Sequence, residues 1–142
     1  MSSNDSDNVG IETFLETWSS DDQPMRGWFE LFYKQLKTME GVTCSFVARP
    51  GVSYSLRPKH VNQTERELFA IVDVIDDDPQ DRWLSVCFYG DMISDPEERG
   101  ELIPGGLAGS DGYCFDMIEN DESQADYITE RLKEAASEAA GG

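Results

Sequence analysis

The sequence predicts an α+β fold: a two-layer sandwich in which a mostly antiparallel sheet of about five strands is packed by N- and C-terminal helices. Three observations carry that expectation. Apolar residues recur at helical spacing near both ends of the chain. The segments between them alternate with a period of two. Those segments are joined by short turn signals, whereas a parallel sheet would need helical crossovers. Three Trp, seven Phe and five Tyr in 142 residues supply large side chains for one core.

Residues 1–9 are polar and read as a disordered acidic tail ahead of one α+β domain over residues 10–140. Ile11, Phe14, Leu15 and Trp18 then fall at i, i+3, i+4 and i+7, a short amphipathic helix that Ser19-Ser20-Asp21-Asp22 ends. Asp22 and Pro24 suit a second helix start. Met25, Trp28, Phe29, Phe32, Leu36 and Met39 keep one apolar face up to Gly41. Strands follow at Val42–Ala48 and Val52–Leu56, around the Arg49-Pro50-Gly51 turn signal. A second pair, Leu68–Ile75 and Trp83–Tyr89, flanks an acidic connection. Leu68, Ala70, Val72 and Val74, with Leu84, Val86 and Phe88, are expected to face the helices. Phe69, Ile71, Asp73, Trp83, Ser85 and Cys87 fall on the opposite, mixed face. Asp95-Pro96-Glu97-Glu98 has the grammar of a helix start and predicts a short helix to about Ile103. A glycine-rich connection over 105–112, a last strand at Tyr113–Ile118 and a final helix at Ser123–Ala139 complete the order.

Twenty-nine acids against eleven bases give a net charge of −18, unevenly spread. Residues 25–70 hold seven bases and only four acids. Such a chain is repelled by polyanions and resists nonspecific binding to nucleic acid or anionic lipid, so a nucleic-acid partner is not expected. No apolar run approaches the ~20 residues of a membrane span, and the N-terminus lacks the basic and apolar regions of a signal peptide. Cys44, Cys87 and Cys114 are an odd number, each within an apolar stretch, and read as buried reduced thiols. Together these features predict a cytoplasmic protein with no membrane partner and no cofactor.

Three groups of residues could carry function. Arg49, Arg57, Lys59 and His60, with Arg66 nearby, gather on and just after the Pro-Gly hairpin. Guanidinium groups grip carboxylates and phosphates with two parallel hydrogen bonds, so this island suits an anion or an acidic partner. In so acidic a chain the same bases could instead be consumed by internal ion pairs. Asp76, Asp77, Asp78 and Asp81 could offer oxygen ligands to a hard metal cation, although their spacing follows no known loop; solvated turns are the alternative. Glu122, Asp126, Glu130, Glu134 and Glu138 recur every fourth residue, a ridge suited to a basic protein partner or simply to solubility. No nucleophile–base pair can be named, and no catalytic residue is expected.

From Leu68 onward the element order resembles that of the MmcQ/YjbR-type small domains, whose fold is similar to frataxin. The matching stretches are Leu68-Phe69-Ala70-Ile71-Val72, Trp83–Tyr89, Asp95-Pro96-Glu97-Glu98-Arg99-Gly100, Gly112–Met117 and the Tyr127–Ala136 helix. The family's lysines are absent at Glu67-Leu68 and Gly90-Asp91, and its last-strand tryptophan is replaced around Tyr113-Cys114. The resemblance implies an α+β sandwich and adds frataxin-like binding of iron through acidic residues as an idea.

Charge segregation without a catalytic set predicts a non-catalytic protein-interaction or regulatory domain. The alternative is a small-ligand module that takes an anion at the basic hairpin or a divalent cation at the carboxylates. A third reading attributes the acidity to a saline habitat.

Overall fold

The computed structural model describes residues 3–18, 24–107 and 109–141. Helices α1 (Ser3–Thr17) and α2 (Met25–Thr38) precede strands β1 (Val42–Arg49), β2 (Ser53–His60), β3 (Ile71–Ile75) and β4 (Trp83–Tyr89). After a 3₁₀ turn at Gly90–Met92 come β5 (Glu101–Leu107), β6 (Ser110–Met117) and α3 (Glu122–Ala140). The six strands form one sheet in the order β1-β2-β3-β4-β6-β5, every neighbouring pair antiparallel. The expected α+β sandwich is thus present, with six strands where about five were expected.

The core lies between the helices and one face of the sheet. Phe14, Phe29, Phe32, Leu36, Ile128 and Leu132 come from the helices, and Leu56, Val72, Val74, Leu84, Val86 and Phe115 from the strands. Alternation explains the strand set: neighbours across the ladders, such as Val72↔Val86 and Val86↔Phe115, share a face and exclude water together. One helix carries more than the apolar spacing predicts, since α1 begins at Ser3 and takes in most of the segment expected to be a tail. Asp22 and the Ser19–Asp22 break lie outside the described residues.

Sequence grammar fails first over residues 95–107. Residues 95–100 form a turn, and the expected helix is replaced by β5. A helix there would have had almost nothing apolar to bury before Leu102. Instead the Asp95 carboxylate accepts the backbone N–H groups of Arg99 (3.0 Å) and Gly100 (2.9 Å) and the hydroxyl of Tyr127. Burial pushes this carboxyl up, but those donors outweigh it and hold it below the usual carboxylate range. Residues 101–107 then satisfy their backbone groups by pairing with β6, with a register shift between Ile103 and Leu107. Pro104 fits there because an edge strand can spare a donor.

The second failure is the cysteines. Cys87 and Cys114 face each other across the β4–β6 ladder and are joined by a disulfide, so two of the three are not reduced thiols; Cys44 is free and buried. Disulfides persist in oxidising compartments, so one of the two grounds for a cytoplasmic location is removed. No helix among the described residues is long and apolar enough to cross a membrane.

Candidate anion-binding face

Among the described residues, all three helices pack on one face of the sheet and no helix covers the other. Its residues follow from strand parity: Ser45, Val47 and Arg49 on β1; Ser53, Ser55, Arg57 and Lys59 on β2. Beside them lie Ile71, Asp73 and Ile75 on β3, then Trp83, Ser85, Cys87 and Tyr89 on β4. The Pro50-Gly51 turn sets this register. Gly51 takes φ +85°, the left-handed value that favours glycine, and Val52 N–H donates to the Arg49 carbonyl at 2.8 Å.

Ion pairing distinguishes this face from the rest of the molecule. Eight of the eleven bases stand within 4.0 Å of a carboxylate: Arg26 and Lys34 on Glu30, Lys37 on Glu12, Arg66 on Asp91, Arg82 on Asp76, Arg99 on Glu97, Arg131 on Glu134 and Lys133 on Glu130. Among the described residues the three bases outside any such pair are Arg49, Arg57 and Lys59, and all three project from the open face. Internal pairing therefore consumes the bases elsewhere and spares these. Arg57 is steadied by donating from Nε to Ser55 Oγ at 2.9 Å. Asp73 lies opposite Ser55 on the next strand, with its Oδ1 buried and accepting no hydrogen bond. Burial raises the Asp73 carboxyl above its usual range, against the Ser55 hydroxyl and the charges of Arg57 and Arg49, which act in the other direction.

His60 does not join this group. It is one residue out of phase, on the helix-covered side, where it lines a shallow pocket with Val42 and Ala136, and its Nδ1 accepts the Asn62 N–H at 3.1 Å. Arg66, by contrast, borders the open face. Its guanidinium lies 3.9 Å from the Tyr89 ring centre and grips Asp91 with bonds of 2.7 and 3.0 Å. Between Arg57 and the β5–β6 hairpin runs a cavity of about 540 Å³, floored by Leu68, Ile71, Tyr89 and Leu107, with Glu65 and Glu67 also lining it. Leu68 was expected inward and Phe69 outward. The reverse holds, because β3 begins only at Ile71 and Phe69 is fully buried.

The acidic groups are less available than their sequence suggests. Asp76 is 2 % exposed and accepts from Arg82 Nε and from the Gly51 N–H, while the Arg82 guanidinium lies 5.2–5.5 Å from the rings of Phe14, Trp18 and Tyr54. That arrangement joins the end of α1 to the β3–β4 connection. Asp77, Asp78 and Asp81 are exposed around it, and among the described residues no group of three His, Cys, Asp or Glu side chains is placed to hold a metal ion. On α3, Glu134 accepts from the N–H and hydroxyl of Ser94 (2.9 and 2.6 Å), and Glu130 pairs with Lys133. Glu122, Asp126, Glu130 and Glu138 are the exposed part of the ridge, and of these Glu122, Asp126 and Glu138 stand outside any ion pair among the described residues.

No protein-family model, curated protein or solved structure matches the chain. Its chemistry must be read from its own residues.

Proposed function

We propose that this chain is a non-catalytic protein-interaction domain that takes an acidic segment of a partner on the open face of its sheet. The observation that carries the reading is the set of three bases, Arg49, Arg57 and Lys59, that among the described residues stand outside any ion pair while the other eight are engaged. In a chain of net charge −18, bases that form no ion pair, even with the buried Asp73 carboxyl between Arg49 and Arg57, mark a place where negative charge is to be supplied from outside. The overall repulsion of an acidic partner is short-ranged at physiological salt, where the Debye length is about 8 Å, so the local patch governs the contact. A frataxin-like arrangement belongs to the same reading, supported by terminal helices packed on an antiparallel sheet.

Fluorescence anisotropy with an acidic peptide and its lysine counterpart tests this. The acidic peptide is expected to bind, to weaken as NaCl rises, and to be lost in the triple variant Arg49→Ala/Arg57→Ala/Lys59→Ala. Binding of the lysine peptide alone, unaffected by that variant, would transfer the function to α3 and its exposed acids.

A further inference from the structure

The cavity beside Arg57 narrows the chemistry of the partner. Its lining begins on β2 with Arg57 and ends on β5 and β6 with Leu107 and Ser110. Leu107 lies against Gly112 of β6, so the trough runs from β2 to β6, three positions apart in the sheet order and on the order of 14 Å at ~4.8 Å per strand. A compact inorganic anion would leave most of that length empty, whereas about four extended residues match it. The floor is apolar and deep: Tyr89 and Leu107 are 5 % and 6 % exposed, and Leu68 and Ile71 are half-buried. A cation steadied at one end of an apolar trough suits a ligand that is itself anionic and apolar in close succession.

We infer, on the basis of the binding reading above, that the acidic segment carries a bulky apolar side chain beside its carboxylates. That side chain fills the trough over Ile71, Leu68 and Tyr89 while a neighbouring carboxylate meets Arg57. The Arg66–Asp91 pair, stacked on Tyr89, forms a fixed wall, because both charges are already matched. Glu65 and Glu67 are exposed on the connection before β3 and disfavour a second carboxylate there, which orients the segment with its acids toward β2.

The test compares two peptides with acids on one side only, Ac-EEFSS-NH2 and Ac-EEASS-NH2, against the full chain. The phenylalanine peptide is expected to bind at least about tenfold more tightly, as burial of one aromatic side chain requires. That preference should vanish in Leu68→Ala/Ile71→Ala, while Arg57→Ala weakens both peptides alike. Backbone amide shifts of the unaltered chain give a second readout that does not depend on any variant folding. The phenylalanine peptide should move Leu68, Ile71, Tyr89 and Leu107, and the alanine peptide should move only the β1–β2 residues. Equal affinities, or a preference that survives Leu68→Ala/Ile71→Ala, would overturn the inference and leave the acidic-partner reading standing. Failure of both peptides to bind would overturn both.

Discussion

Asp73 shows how a single side chain is set by its neighbours. It sits on the open face between two arginines that stand outside any ion pair, yet its carboxyl is raised, because burial outweighs the Ser55 hydroxyl and the charges of Arg57 and Arg49. A folded-state value above the unfolded one means that the folded chain binds more protons between the two. Stability therefore falls as pH rises upward from the ordinary carboxylate value, and the loss is complete above the folded value. Asp73→Asn removes that penalty. It is expected to stabilise the chain at about pH 7, with the advantage shrinking toward about pH 3, where the wild-type carboxyl is protonated in both states. Urea denaturation at the two pH values checks this. A variant less stable than wild type at neutral pH would show that the Ser55 and arginine contacts dominate. Asp76, three residues on, is buried too, and its carboxylate accepts from Arg82 and from the Gly51 N–H.

Among the elements, the β4–β6 ladder is reinforced twice, by core pairs on its helix side and by the Cys87–Cys114 bridge on its open side. The bridge closes a sequence separation of 27 residues that contains the Asp95 turn and all of β5. Cross-linking a segment of that size limits the unfolded ensemble and typically contributes roughly 2–4 kcal/mol. The double variant Cys87→Ser/Cys114→Ser should lose stability in that range. In denaturant without reductant one thiol, Cys44, should react, and three should react after reduction. Three reactive thiols at the outset would show that the bond does not form. The β5 edge has its own protection, since Pro104 and the register shift interrupt the row of backbone groups that another chain could pair with.

For the molecule as a whole, charge acts with opposite sign on folding and on binding. A net charge of −18 strains the compact state by self-repulsion, and salt relieves it. Attraction between the three spared bases and an acidic segment is screened by the same salt. Raising NaCl from about 20 mM to about 0.5 M should therefore raise the melting temperature while weakening the acidic peptide. Calorimetry and anisotropy over one salt series measure both. A melting temperature that falls with salt would mean that the eight ion pairs outweigh the repulsion among the remaining acids.

The sequence by itself determined the α+β class, α2, the β1–β2 hairpin and the face on which β4 buries its side chains. Those depend on local periodicity and on turn residues such as Pro50 and Gly51, whose physics is complete within a few positions. The basic island was legible too, including Arg49, Arg57 and Lys59. Whether those bases were spent or spare was not legible, because an ion pair such as Arg66–Asp91 or Lys37–Glu12 joins residues 25 apart in the chain. The same limit explains β5. Asp95 and Pro96 spell a helix start locally, but Tyr127 and β6 offer partners that only the folded chain brings near. It explains His60 as well, since a one-residue phase on a strand separates it from Lys59 by the full thickness of the sheet. Tertiary structure decided which charges are matched, which face the helices leave open, and which cysteines meet, because each is a relation between distant positions and not a property of either one.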